Sequence, residues 1–228
     1  MDFLKPLLPH PEGYRFILIF AALTALLFPV ETALGWIGVV LTAACVWFFR
    51  DPERITPQRS GLVISPADGK IVNIDEAAPP PELGLGAEPR PRISVFLSVL
   101  DCHINRSPVA GTIRRILYRT GRFFDARLDK ASDDNERQTL VIDMEDGRDI
   151  IVVQIAGLIA RRIVSFVSEE QAIASGERFG MIRFGSRCDI YLPSGTTPLV
   201  AVGQTAVGGE TVLADFASDE AARETLAS

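Results

Sequence analysis

The chain has little of what most site chemistry uses. Its 228 residues include two histidines, three cysteines and two tryptophans, and lysine occurs only at Lys5, Lys70 and Lys130. A His-rich metal site is out of reach, and Cys45, Cys102 and Cys188 show no Cys-x-x-Cys spacing, so no metal is expected. An odd number of scattered cysteines fits a reducing compartment better than a disulfide scaffold. Positive charge is short as well. Lys and Arg total 23 against 29 Asp and Glu, giving a net charge of −6 and a pI near 5.0. That balance argues against nucleic acid as a partner. Apolar residues are plentiful, at 47%, with a mean hydropathy of +0.21. This is not a disordered composition, and the length suits one domain plus an appendage.

The apolar excess sits at the N-terminal end. Phe16 to Val30 and Ala33 to Phe49 are uncharged runs separated by Glu31-Thr32, with Pro29 and Gly35 at the bend. About 20 helical residues cross a hydrocarbon core, with roughly 17 as the short limit. The pair therefore reads as an apolar helical hairpin over 1–54, either a tight two-span hairpin or one dipping into a single leaflet. Lys5 and Arg15 precede it, Arg50, Arg54 and Arg59 follow it, and the bend carries only Glu31. The positive-inside rule then puts both flanks, and residues 55–228, on the cytoplasmic side of the cell membrane. The first run lacks a signal-peptidase site and a second run follows it directly, so it is not a cleaved leader.

The remainder is expected to be mainly β. Short β-branched runs recur at 69–74, 93–97, 139–142 and 149–155, and Asp146-Gly147 between the last two signals a hairpin turn. Residues 77–91, rich in Pro and Gly, read as an exposed loop, and 168–175 as a short helix. Ser65-Pro66-Ala67-Asp68-Gly69-Lys70-Ile71 and Ser107-Pro108-Val109-Ala110-Gly111-Thr112-Ile113 share S-P-x-x-G-x-I, 42 residues apart. Each predicts a turn feeding a strand. With the glycine-punctuated strands at 199–213, this resembles the barrel-sandwich hammerhead of biotinyl and lipoyl carrier domains. No carrier lysine stands in a turn, so the resemblance concerns the fold (α+β, mainly β).

Chemistry has few sources. His103 is the only histidine outside the N-terminal preamble. It lies among Asp101, Asn105 and Arg106 where a strand runs into a turn. Cys102 beside it would point to the opposite face. In Phe184-Gly185-Ser186-Arg187-Cys188-Asp189, Ser186 and Cys188 share a face of an extended segment and Arg187 points away. No G-x-S-x-G elbow is present. Gly185-Ser186 offers something else. A serine hydroxyl can attack the carbonyl before it, and the ester can undergo β-elimination. The dehydroalanine left behind tautomerises and hydrolyses with loss of ammonia to an N-terminal pyruvoyl group. Glycine at the attacked carbonyl removes the Cβ obstruction, and a nearby histidine can act as base.

With these residues in view, the chain resembles the short bacterial and archaeal type of phosphatidylserine decarboxylase proenzyme. The resemblance runs from the hairpin to near Glu210. It rests on Phe48-Phe49-Arg50-Asp51-Pro52-Glu53-Arg54, Ser65-Pro66-Ala67-Asp68-Gly69, Leu97 to Pro108, and Arg183 to Pro193. It implies self-cleavage between Gly185 and Ser186 into a β chain (1–185) and an α chain (186–228) that stay together as a heterodimer, with scope for further oligomerisation. The cofactor would be the pyruvoyl group made from Ser186, which forms a Schiff base with phosphatidylserine and withdraws the electrons left by CO₂, giving phosphatidylethanolamine. His103 matches the histidine that assists decarboxylation, and Asp68 matches an acidic residue that assists processing and would orient or charge-stabilise His103. Where the longer bacterial form has a second histidine and Leu-Gly-Ser-Thr, this chain has Arg106 and Phe-Gly-Ser-Arg. Arg106 cannot act as a base, so His103 is a candidate for both steps. Arg106 or Arg187 would meet the lipid phosphate. Phe179, Phe184 and Tyr191 are candidates for an apolar wall. Two other readings are a non-enzymatic membrane-tethered barrel-sandwich adaptor and a sortase-like transpeptidase using Cys188, His103 and Arg106.

Overall fold

Residues 8–122, 134–157, 162–183, 186–221 and 223 are described by a computed structural model. They divide into two compact units, one within Met1–Glu53 together with Leu100–Cys102, the other within Arg54–Val99 and His103–Ser228.

The first unit holds helices α1 (Pro11–Leu27) and α2 (Thr32–Phe48). His10 caps α1, its Nδ1 accepting the Glu12 amide at 3.3 Å, and Pro11 takes the first turn. The cap starts the helix five residues ahead of the apolar run. Each helix has 17 residues, so each rises ~25 Å against a hydrocarbon core of ~30 Å. Neither is long and apolar enough to cross a membrane. The expected hairpin is present as a helix pair, but the reading in which it crosses twice is not supported. The helices meet through small residues. A Cβ on Gly35 would lie 2.4 Å from the Phe28 ring, and one on Gly38 2.6 Å from Thr24 Oγ1. Thr24 Oγ1 and Thr42 Oγ1 share a hydrogen bond of 3.1 Å. Close approach through Gly with Thr hydrogen bonds is the packing style of helices in lipid. Large apolar side chains stay outside on both helices, among them Leu18, Leu26, Trp36 and Val40.

The second unit is mainly β, and every pairing in it is antiparallel among named strands. The strands are β1 (Leu62–Ile64), β2 (Gly69–Ala77), β3 (Arg90–Leu97), β4 (Ile104–Arg106), β5 (Gly111–Arg119), β6 (Arg137–Asp143) and β7 (Asp149–Ala156). They continue with β8 (Ile163–Ser165), β9 (Ala172–Ile173), β10 (Arg178–Ile182), β11 (Ser186–Tyr191), β12 (Thr205–Ala206) and β13 (Val212–Asp215). Eight of them form one sheet in the order β12-β2-β3-β11-β7-β6-β5-β9. Smaller sheets pair β1 with β13 and β4-β10-β8. The inner face of the large sheet carries Ile93, Val95, Leu97, Leu140, Ile142, Ile150, Val152, Cys188 and Ile190 in one buried cluster. The outer face buries Val141, Ile151, Val153, Ile155 and Tyr191 with Leu83 from the 3-10 turn Pro81–Leu83. Burial on both faces explains why β7 reads as a nearly continuous apolar run.

The S-P-x-x-G repeat marks a two-fold relation between halves. β1 and β2 begin at 62 and 69, β4 and β5 at 104 and 111. Ser65 Oγ donates to Ala67 O and Ser107 Oγ to Val109 O. The two turns interlock reciprocally, Ile64 N donating to Pro108 O and Arg106 N to Pro66 O, each at 2.9 Å. Matching register shifts fall between Ile71 and Asn73 in β2 and between Ile113 and Arg115 in β5. The sheet order itself reads the same from either end when β12-β2-β3-β11 is exchanged for β9-β5-β6-β7.

The helix expected over 168–175 is absent, and β9 occupies its end. Glu170 N donates to Ile113 O, Ile113 N to Gln171 O and Ile116 N to Glu169 Oε1, and Glu170 has a φ of 63°. Pairing with β5 overrides local helix propensity. The exposed loop expected over 77–91 is shorter and less exposed than read: Ala77 ends β2 and Arg90-Pro91 begin β3, the 3-10 turn Pro81–Leu83 lies between them, and Pro79, Pro80 and Leu83 are buried.

Candidate active site

Ser186 opens β11, the strand between β3 and β7 at the middle of the large sheet. It lies opposite Leu97 on one side and Ala156 on the other. Its side chain is fully buried, and its Oγ has no hydrogen-bond partner among the described residues. A buried hydroxyl left unmatched costs about 1–3 kcal/mol, as at Ser94 and Thr139, and among these Ser186 is the one preceded by glycine in the candidate scissile pair. Phe184 and Gly185, the other half of the expected scissile bond, lie outside the described residues.

The chain enters β11 from β10. β10 pairs with β4, Met181 opposite Ile104 and Gly180 opposite Asn105, and the ladder extends one step further because Ile182 N donates to His103 O at 3.3 Å. His103 therefore lies beside a residue four positions upstream of Ser186, while Leu97, six positions upstream of His103, pairs with Ser186 itself. Two backbone anchors thus tie the His103 and Ser186 segments together. His103 is also fully buried.

A buried chain of amides fixes the face that β4 presents. Gln138 Nε2 donates to Gln154 Oε1 at 3.0 Å, and Gln154 Nε2 donates to Asn105 Oδ1 at 2.8 Å. Asn105 Nδ2 donates in turn to Pro66 O at 3.4 Å. Gln154 lies opposite Cys188, and Ala156 opposite Ser186, so strand alternation puts Gln154 on the face of the sheet that carries Ser186. Gly180 permits the approach, since a Cβ there would lie 2.7 Å from Val164 O and 3.1 Å from Gln154 Nε2. By the same alternation His103 falls on Asn105's side of its segment. Asn105 stood out in the sequence by its neighbours. Gln154 was not singled out there, and its signal was a lone polar residue inside the apolar run of β7.

Asp68 sits in the first S-P turn with both carboxylate oxygens taken, though not by His103. Oδ2 accepts Arg54 Nη2 and Oδ1 accepts the Gly208 amide, each at 2.7 Å. The turn it holds supplies Pro66 O to Asn105 and Arg106. Arg106 is buried, and its Nη1 donates to Gly176 O at 3.1 Å. Arg187, expected at the lipid phosphate, instead lies on the other face of the sheet from Ser186. It is 1% exposed and grips Asp189 through Nε and Nη2, both at 2.8 Å. Arg92 Nη1 approaches the same carboxylate at 3.7 Å while its Nε and Nη2 hold Asp75. Tyr191 shares that outer face, whereas Phe179 packs in the inner core. Of the suggested apolar wall, only Phe179 is on Ser186's side, and Phe184 lies outside the described residues.

Cys188 is fully buried. Burial pushes its thiol well above its ordinary value, Asp189 adding to the shift and Arg187 opposing it. A thiol held neutral is a poor nucleophile, so the geometry does not favour the transpeptidase reading. Among the described residues no cluster of His, Cys, Asp and Glu could hold a metal ion.

The family model for phosphatidylserine decarboxylase matches residues 41–214. The chain belongs to the phosphatidylserine decarboxylase family. The match covers β1 through most of β13 and every residue of the candidate site. The phosphatidylserine decarboxylase proenzyme of Ruegeria pomeroyi (strain ATCC 700808 / DSM 15171 / DSS-3) is 60% identical over 214 residues, 94% of this chain and 97% of that protein. That of Cereibacter sphaeroides (strain ATCC 17025 / ATH 2.4.3) is 58% identical over 225 residues, 99% of this chain and 96% of that protein. Both relatives are named proenzymes.

Proposed function

We propose that this chain is a proenzyme that cleaves itself between Gly185 and Ser186 and then decarboxylates phosphatidylserine to phosphatidylethanolamine. The observation that carries the reading is Ser186. It is a fully buried serine with an unmatched Oγ, at the first position of a central strand, on the face that Asn105 and Gln154 dock against the His103 segment. A pyruvoyl group derived from Ser186 fits that position, because the strand holds its backbone on both sides and burial keeps water from a ketone. When present, the group would supply an electrophilic carbonyl for the substrate amine and a sink for the electron pair left on Cα as CO₂ departs.

The chain's own residues do the rest. The His103 imidazole takes the proton from Ser186 Oγ during processing and later returns a proton to the substrate Cα. Asp68 acts through the turn it fixes, holding Pro66 O against Asn105 and Arg106, and is a positioning residue. Arg106, three residues from His103, is assigned the lipid phosphate. Burial around Ser186 favours loss of CO₂, since charge disperses along that coordinate. The pseudo-two-fold S-P turns support a barrel-sandwich domain of hammerhead type. The helix pair, with large apolar side chains outside on both helices, supports association with the membrane as a shallow anchor. The basic flanks support the cytoplasmic side of the inner membrane. The α chain remains with the β chain as a heterodimer.

Mass spectrometry of the denatured protein tests the reading. Two chains divided at 185/186, the smaller lighter than a serine-started peptide by the mass of ammonia, are expected. Ser186→Ala should give one intact chain and no decarboxylation. An intact wild-type chain with full activity refutes the reading.

A further inference from the structure

The loop that leads into His103 is held by the helical unit. Leu100–Cys102 belong to the compact unit of the helix pair, and the hold is specific. Leu100 O accepts Arg50 Nη2 at 2.9 Å and Trp47 Nε1 at 3.3 Å. Arg50 Nη1 caps Trp47 O at 2.9 Å, and its guanidinium stacks over the Trp47 ring at 4.2 Å. Cys102 Sγ donates to Arg50 O at 3.4 Å. The loop is held at both ends of this short segment, by the Leu100 carbonyl and by the Cys102 thiol. The side chain of Leu100 is left 73% exposed, and that of Val99 before it 47%. Single exposed leucines are ordinary. This one is held out by a clamp, on the unit whose helices leave Leu18, Leu26, Trp36 and Val40 outside.

We propose that Leu100 is a lipid-inserting residue, and that the Trp47–Arg50 clamp makes the loop before His103 part of the membrane-docking surface. The occupant is a phospholipid bilayer. A stacked Trp–Arg pair is the chemistry of the bilayer interface, where the indole sits at headgroup level and the guanidinium meets phosphate. The helices are apolar around their circumference, unlike a helix that buries one stripe against a second protein copy. The substrate in the reading above is itself a component of that bilayer. The chain leaves the clamp at Cys102, and the next residue is His103. The inference rests on the decarboxylase reading and extends it to how the enzyme meets its lipid.

The test uses the full, processed protein with Leu100→Asp. The exposed side chain is replaced without touching the clamp, which uses the carbonyl. Decarboxylation is measured on vesicles of phosphatidylcholine and phosphatidylserine, and on short-chain phosphatidylserine dispersed as monomers, with vesicle co-sedimentation alongside. Placing Asp for Leu in lipid is unfavourable, and the ratio of kcat/KM on vesicles to that on monomers should fall about tenfold, with co-sedimentation falling in parallel. Leu100→Phe should hold the ratio. A ratio unchanged in Leu100→Asp overturns the proposal. A loss of equal size on both substrates also overturns it, because it shows a structural role. A change in oligomeric state without a change in vesicle binding would make the occupant a second copy and overturn it likewise. A wild-type enzyme inactive on both substrates would instead refute the decarboxylase reading.

Discussion

Arg187→Met separates two roles for the residue that follows Ser186. If Arg187 met the lipid phosphate, its loss would raise KM and leave the fold alone. The structure makes it half of a buried ion pair, with Arg187 and Asp189 each 1% exposed and two contacts of 2.8 Å between them. Removing one partner of a buried pair costs about 3–5 kcal/mol, because the other charge is left without compensation. Arg92 stands 3.7 Å from Asp189 and offsets part of this, although two of its nitrogens are committed to Asp75. The low end, ~3 kcal/mol, is therefore expected. At 2–4 °C per kcal/mol for a chain of this size, Tm should drop by roughly 6–12 °C. The assay is thermal unfolding by circular dichroism in a Ser186→Ala background, which keeps one chain. Arg187→Met with Asp189→Leu should recover most of the loss, since Ile155 and Val153 lie opposite these positions and an apolar pair of similar volume replaces a buried ion pair at little cost. A single variant melting within about 2 °C of its parent would refute the argument.

Gln154→Leu leaves Asn105 Oδ1 and Gln138 Nε2 buried without their present partner, at about 1–3 kcal/mol each. Asn105 is two residues from His103, so self-cleavage followed over time should slow and kcat should fall by about tenfold or more with little change in KM. Normal cleavage and normal kcat would show that the amide chain does not position His103. Asp75 titrates below its ordinary value. Partial burial acts to raise it and is outweighed by the hydrogen bonds and charge of Arg92. A depressed carboxyl stabilises above its unfolded value of about 3.9, and that contribution is lost as pH falls through the folded value. Asp75→Asn should thus lower stability at pH 7 by well under about 1 kcal/mol for a pair this exposed, seen as a slightly lower Tm, and the difference should close towards acid pH. A difference that widens in acid contradicts the sign.

Much of the β framework was legible because β-branched runs and the S-P-x-x-G repeat are local signals. The repeat turned out to carry more than its motif. It marks interlocked turns and matched register shifts that only tertiary pairing reveals. The misread segment at 168–175 has helix-compatible residues, and the hydrogen bonds that decide it come from β5. His103 stood out as the one histidine beyond the N-terminal preamble, whereas Ser186 stood out through the chemistry open to a Gly-Ser pair and through the resemblance to the family. The placement of Arg187 was half legible. Alternation put it on the face away from Ser186, but a charged residue reads as solvated until its partner two positions on is seen to be buried with it. Gln154 was illegible for the converse reason, because its value lies in a partner 49 residues away.

The pseudo-two-fold shows why a break before Ser186 can be tolerated. In one half, β6 and β7 are joined by a tight turn whose Gly147 has a φ of 85°, and the outer strands follow. In the other half the strand equivalent to β7 is β11, which does not follow β3 in the chain. It is reached from β10, and the proposed cleavage falls on that connection. Opening the chain there removes a link between sheets and leaves every pairing of the central strand intact. β11 keeps six residue pairs with β3 and six with β7, while β12 adds to β2 and β13 to β1. The 186–228 segment is thereby held at the centre of the large sheet, at its edge and in a second sheet. A chain beginning at 186 would keep all of these pairings. Across the 42-residue repeat, His103 in the half with the tight turn corresponds to Gly61 in the other, and Asp68 in that other half corresponds to Ala110. The candidate site is thus drawn from both halves of the repeat, Asp68 and Ser186 from the half of β2, β3 and β11 and His103 from the half of β4 to β7.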